Sequence, residues 1–139
     1  MSTFQISRTV LFGDCDPTGV IYTPRIADYV VEALLEFQSH ILGAPAARAI
    51  LELGVFPPAR ELNIEFLSPL TFDDVVQMSM VVSNIGVTSF TCKIEGSRQD
   101  GREAFRARLT QVSVSAETRR PVPLPTELRQ ALSAFERGT

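Results

Sequence analysis

The chemistry this sequence offers is concentrated in one stretch, Phe12-Gly13-Asp14-Cys15-Asp16-Pro17-Thr18-Gly19-Val20-Ile21-Tyr22-Thr23-Pro24. Two carboxylates flank a small residue in a loop bounded by Gly and Pro, and a strongly apolar helical pattern opens at its end. In an arbitrary loop, Asp14 and Asp16 would do no more than make Asx turns. Their placement here adds a second component. The first turn of a helix carries N–H groups with no intrahelical acceptor and the positive end of the macrodipole, a ready site for a developing oxyanion. A carboxylate beside such a site can attack a bound carbonyl or activate water against it. Other catalytic constellations are missing from the sequence: it has no Gly-x-Ser-x-Gly elbow, Walker loop or His-Glu-x-x-His. The single histidine, His40, falls near the far end of the same helix, where its charge suits the dipole. Cys15 sits between two carboxylates that disfavour its thiolate and reads as a packing residue; Cys92 alternates with Phe90 and Ile94 and reads as core.

The elements that must position this loop follow from periodicity. Phe4, Ile6, Val10 and Phe12 suggest a first strand over 4–12, and 13–19 is turn chemistry. Thr23-Pro24 reads as an N-cap followed by Pro at the first helical position, opening a helix over 24–42 with Gly43 as a left-handed cap. Its polar residues Arg25, Asp28, Glu32, Glu36, Ser39 and His40 recur every three or four positions, forming one stripe. The rest of its circumference is apolar, which predicts a helix enclosed by other structure. A weaker helix is expected over 45–53. Strands are expected over 61–66, 75–83 and, after the turn Asn84-Ile85-Gly86, through Phe90, Cys92 and Ile94. Asp100-Gly101 then marks a hairpin into a last strand over 103–115. Phe105, Ala107 and Leu109 share one phase there and Val112 and Val114 the other, predicting a bulge near Thr110. Leu128, Ala131, Leu132 and Phe135 mark a short C-terminal helix that packs on the sheet. One strand, one long helix and four strands make an α+β two-layer domain.

With 139 residues, 45% of them apolar, the chain is expected to build one core over residues 1–139. A net charge of −3 leaves no electrostatic footprint for nucleic acid. No apolar run is long enough to span a bilayer, and Met1-Ser2-Thr3-Phe4 lacks a secretory signature, so a soluble cytoplasmic protein without membrane contact is expected. Two cysteines support neither a disulfide framework nor a metal site.

The loop resembles the signature of hotdog-fold acyl-CoA thioesterases of the 4-hydroxybenzoyl-CoA thioesterase type, Gly-Asp-x-Asp-Pro-x-Gly-hydrophobic ahead of a central helix. The likeness continues through Glu65-Phe66-Leu67-Ser68-Pro69-Leu70, Asp73-Asp74 and Ser89-Phe90, covering most of residues 8–115. The resemblance implies a hotdog fold, its long helix wrapped by a mostly antiparallel five-stranded sheet. It also implies hydrolysis of an acyl-CoA with an aromatic or medium acyl group, without a cofactor. Two subunits would share one continuous sheet with active sites at the interface, in a homodimer or homotetramer. Asp16 matches the catalytic carboxylate, as nucleophile or general base, and the Thr23 N–H matches the group that polarises the carbonyl. Gly19, Tyr22 and Ser89 match positions that approach the substrate. Thiolate leaves readily, so no histidine is required beside Asp16. Two departures are visible. Thr23 follows Tyr22 where one branch has His, and Gly86-Val87-Thr88 stands where the hydroxybenzoyl enzyme has a basic run for the CoA phosphates, leaving Arg60, Arg98 or Arg102 as substitutes. Two alternatives stay open: acyl groups carried on a carrier protein, and a non-catalytic acyl-CoA binding module.

Overall fold

The computed structural model describes residues 3–137. In chain order the elements are β1 (Phe4–Thr9), α1 (Thr23–Leu42), α2 (Ala46–Glu52), β2 (Val55–Phe56), β3 (Ala59–Phe66), β4 (Val75–Ile85), β5 (Ser89–Ser97), β6 (Glu103–Val112), β7 (Val114–Ser115) and α3 (Thr126–Ser133), with one turn of 3-10 helix at Phe12–Asp14. Five strands form one sheet in the order β1-β4-β5-β6-β3, every neighbouring pair antiparallel.

Period-two alternation decides which face of the sheet is buried. Val76, Met78, Met80 and Val82 on β4 share a core with Phe90, Cys92 and Ile94 on β5 and Phe105, Ala107 and Leu109 on β6. Ile26, Tyr29, Val30, Ala33, Leu34 and Phe37 of α1 fill the other half of that core. The residues between them, including Gln77, Lys93, Glu95, Arg106 and Arg108, face solvent on the back of the sheet. Helix α1 stops at Gly43, whose φ of 67° suits a residue without a side chain and lets its N–H donate to the Ser39 carbonyl. Leu128 and Leu132 of α3 are buried where that helix packs against β4 and α1. No helix among the described residues is long and apolar enough to cross a membrane.

Three local expectations need correction. The first strand ends at Thr9, because Val10 leaves the ladder and bonds to the 73–74 turn instead: its N–H donates to Asp74 O at 2.8 Å and its carbonyl accepts from Asp73 N–H at 2.8 Å. The irregularity expected in β6 lies on its partner: Ala59 pairs with Gln111 and Glu61 with Thr110, so Arg60 is the extra residue, on β3. In β6 the buried phase continues unbroken through Gln111 and Ser113. Gln111 occupies a core position because its amide is satisfied, accepting from Gln38 Nε2 at 2.8 Å and donating to Pro57 O at 2.6 Å. Helix α1 is covered on one face only. Val31 and Leu35 on its outer side remain 44% and 45% exposed, since the strands of one chain curve round a single side of it.

Candidate active site

The loop after β1 closes into a tight hairpin laid against the start of α1. Cys15 pairs with Ile21, Asp16 N–H donates to Val20 O at 2.9 Å, and Gly19 N–H donates to Asp16 O at 2.9 Å. The return depends on Gly19, whose φ of 84° is strained for any residue with a Cβ. Thr71 Oγ1 donates to Gly19 O at 2.6 Å and ties the tip to the segment after β3. Asp74 supports that segment in turn: one carboxylate oxygen accepts Thr71 N–H at 2.9 Å and the other accepts Gln99 Nε2 at 2.9 Å.

Asp16 does form an Asx turn. Its Oδ1 accepts both the Thr18 N–H at 2.8 Å and the Thr18 hydroxyl at 2.5 Å, while Oδ2 has no partner among the described residues. The bonds from the Thr18 hydroxyl and backbone favour the anion and hold the carboxyl below the usual Asp value of 3.8. A base or nucleophile at this position is therefore competent at neutral pH and is lost only as pH falls through that lowered value. Replacing Thr18 with Ala removes the largest cause of the lowering. The acid limb of the kcat/KM profile is expected to move up toward the ordinary Asp value in Thr18→Ala; a limb at an unchanged pH would show that Thr18 does not set it.

The helix starts one residue earlier than the Thr-Pro pair suggests. Tyr22, with φ −67° and ψ 126°, is the N-cap; Thr23 is the first helical residue and Pro24 the second. This shift matters for the donors. Tyr22 N–H is taken by Asp14 O at 2.8 Å, Pro24 has no N–H, and Arg25 N–H is taken by Tyr22 O at 2.8 Å. Among the described residues, the Thr23 N–H is left as the free donor of that turn.

Thr23 lines a cleft of about 280 Å³ between the start of α1 and the chain leaving β3. Val20, Ile21, Ile26, Phe66, Leu67 and Leu70 supply its apolar walls, Thr23 and Ser68 are its polar residues, the Ser68 hydroxyl donating to Glu103 O at 2.6 Å, and no charged residue lines it. Asp16 is half-exposed and is not part of the lining; its backbone N–H donates to Val20, which is. Tyr22 is exposed beside it. Ser89 is elsewhere. It pairs with Val112 at the opposite end of β5, whereas Gly96 pairs with Phe105 next to the cleft. Seven residues of extended strand separate the two ends, about 23 Å at ~3.3 Å per residue. One chain thus unites Asp16, Gly19, Tyr22 and Thr23 and leaves Ser89 apart.

Four residues to which sequence reasoning gave no role at the site surround Asp14, which is buried. Its Oδ2 accepts Tyr29 O–H at 2.7 Å and Leu11 N–H at 3.0 Å, and the guanidinium groups of Arg25 and Arg8 approach to 3.6 and 3.9 Å. Arg8 also stacks over the Tyr29 ring at 4.1 Å and pairs with Glu32. Burial pushes the Asp14 carboxyl up, but the bonds from Tyr29 and Leu11 and the two cations together outweigh it and leave it lowered. Burial, then the bond to Asp14, pushes the Tyr29 phenol up, so it stays a donor. Tyr29 read as one more apolar helix position; its hydroxyl, two turns below a loop with a spare carboxylate, was the available signal. The Cys15 thiol is raised by burial and then by Asp14, Asp16 and Asp74, against a nucleophilic role.

The sequence model of the Thioesterase-like superfamily matches residues 10–132. This chain belongs to that family. Among its relatives, the 1,4-dihydroxy-2-naphthoyl-CoA hydrolase of Thermosynechococcus vestitus is 25% identical over 121 residues, covering 87% of this chain and 82% of that protein. A thioesterase-superfamily protein from a Jannaschia species superposes with a TM-score of 0.89 at 27% identity, covering 99% of this chain and 95% of the other. A 4-hydroxybenzoyl-CoA thioesterase, solved as an Asp-to-Asn variant with 4-hydroxybenzoyl-CoA bound, superposes with a TM-score of 0.84 at 20% identity over 94% and 98% of the two chains. The thioesterase-like hotdog architecture expected from the loop and the five-stranded sheet is the one observed.

Proposed function

We propose that this chain hydrolyses acyl-CoA thioesters, with Asp16 as general base or nucleophile and the Thr23 N–H as oxyanion donor. One observation carries the reading: among the described residues the Thr23 N–H is the donor of the first helical turn without an acceptor, Thr23 lines an apolar cleft free of charged side chains, and Asp16, its carboxyl held below the usual value, sits on the hairpin whose Val20 forms part of that wall. A carbonyl oxygen at that N–H becomes more electrophilic at carbon and is stabilised as it turns into an oxyanion. With Asp16 as base, water loses a proton to the carboxylate and its oxygen adds to the carbonyl. The tetrahedral intermediate then collapses by expelling the CoA thiolate, which takes up a proton. With Asp16 as nucleophile, thiolate leaves first and water cleaves the resulting anhydride. Both routes release a free thiol and a carboxylic acid, and neither needs a strong acid, because an alkyl thiol has a pKa of about 8.5. The apolar lining suits an aromatic or medium aliphatic acyl group, in keeping with the aroyl-CoA hydrolase named among the relatives.

The catalytic unit of this proposal is a dimer. β3 is an edge strand with half-buried Ile64 and exposed Leu62 and Phe66, and an exposed apolar edge is a template for another strand. Antiparallel two-fold pairing through β3 would lay the Ala59 end of one strand beside the Phe66 end of the other. The end of the sheet that carries Ser89 of the partner subunit would then approach the Thr23 cleft. The same axis would turn the open faces of the two α1 helices, with Val31 and Leu35, toward each other.

The test is thiol release by purified protein across benzoyl-, hydroxybenzoyl-, phenylacetyl-, acetyl-, octanoyl- and palmitoyl-CoA. Aromatic and medium acyl groups are expected to exceed acetyl and palmitoyl by about tenfold or more in kcat/KM, the scale on which apolar pockets discriminate. Tight binding of these compounds with no thiol released from any of them would overturn the hydrolase reading in favour of a binding module.

A further inference from the structure

We infer that Asp14, through its hydrogen bond to Tyr29, is the positioning residue that holds the Asp16 loop in register with the Thr23 N–H. This rests on the hydrolase reading above and concerns a residue to which that reading gives no role.

Three segments converge on this one residue. Its carboxylate accepts Leu11 N–H from the chain just beyond β1 and Tyr29 O–H from the second turn of α1. Its backbone carbonyl accepts Tyr22 N–H, immediately before the free donor of Thr23. Tyr22 is the N-cap and Tyr29 lies in the second turn, so Asp14 is tied to α1 at two points, the backbone at its entrance and a side chain from its body. Two ties of different kinds oppose displacement of the loop relative to the helix start. Among the described residues the loop has no other hydrogen bond to the body of α1, where Arg25 adds an ion pair to Asp14; the bonds from Ile21 N–H to Leu70 O and from Thr71 Oγ1 to Gly19 O run to the segment after β3. The bonds from Tyr29 and Leu11, and then the charges of Arg8 and Arg25, hold the carboxyl below its usual value despite burial, and Arg8 stacks on the Tyr29 ring. Asp16 lies two residues further along, so a shift at Asp14 displaces the reacting carboxylate relative to the N–H that polarises the substrate. Neither Asp14 nor Tyr29 lines the cleft.

Tyr29→Phe keeps the buried ring and the Arg8 stack and removes the hydroxyl alone. Misplacement by about 1 Å costs on the order of 100-fold, so kcat for thiol release is expected to fall about 10- to 100-fold with KM within about twofold of wild type. Asp14→Asn, which keeps an acceptor oxygen for both donors, is expected to retain kcat within about fivefold, while Asp14→Ala falls at least as far as Tyr29→Phe. A kcat within twofold of wild type in Tyr29→Phe, a rise in KM alone, or a loss matched by an equal fall in folded fraction would each overturn the inference. Failure here is separable from failure of the hydrolase reading: an inactive Asp16→Asn beside a fully active Tyr29→Phe removes only the positioning role, whereas a fully active Asp16→Asn removes the reading on which it rests.

Discussion

Asp16→Asn is expected to reduce thiol release from acyl-CoA by about three orders of magnitude, the middle of the range that one positioned base supplies. The substitution is close to isosteric, and the Asn side-chain oxygen can still accept the Thr18 N–H and hydroxyl that Asp16 Oδ1 accepts. The hairpin and its Gly19 turn therefore survive, and the loss is chemical. Asp16 is half-exposed and carries no core contact, so the thermal midpoint and oligomeric state should match wild type. Steady-state thiol release beside a thermal melt checks both halves. Activity within tenfold of wild type would assign the reaction to another group.

Thr23→Pro is expected to be the second large effect. A backbone donor can be deleted only by proline, and this site tolerates one. Thr23 is the first helical residue, where proline is favoured, and its N–H donates to no acceptor within the described chain. Tyr22, with ψ 126°, already has the extended conformation required before proline. Removal of one oxyanion donor costs about 3 to 4 kcal/mol of transition-state stabilisation, or about 10²- to 10³-fold in kcat. Thr23→Ala, which keeps the N–H and loses only the hydroxyl, should remain within about tenfold of wild type, since a single net hydrogen bond is worth roughly 1 kcal/mol. Equal losses in the two variants would transfer the effect to the side chain and leave the helix N–H without a catalytic part.

Much of this arrangement is legible along the chain because it is made by near neighbours. The Asx turn at Asp16 closes over two residues, the positive φ at Gly19 and Gly43 calls for glycine, and Pro24 removes a competing donor from the first turn of α1. Strict alternation in β4, β5 and the first part of β6 announces one buried face, whereas the apolar breadth of α1 suggests an enclosure that this chain provides on one face only. Hydropathy fails where a polar residue is satisfied by a distant partner. Gln111 looks like a solvent position and is core, because Gln38 and Pro57 meet its amide. The bulge was therefore assigned by hydropathy to the wrong strand of the β3–β6 pair.

What the sequence by itself determined is the local chemistry: a carboxylate on a glycine-closed hairpin, a proline-opened helix directly after it, and the strand pattern of the sheet behind them. The tertiary structure alone decided that Asp14 is buried on Tyr29, that Ser89 lies at the far end of the sheet from Thr23, and that the wall opposite the helix start comes from Phe66 to Leu70. The physical reason is the range of the interactions. Turns and caps are set by dihedral preferences and hydrogen bonds within a few residues. The meeting of Asp14 with Tyr29, or of Thr23 with Phe66, exists only after the sheet has closed against α1, when burial makes each unpaired polar group costly and packing selects the partner that satisfies it.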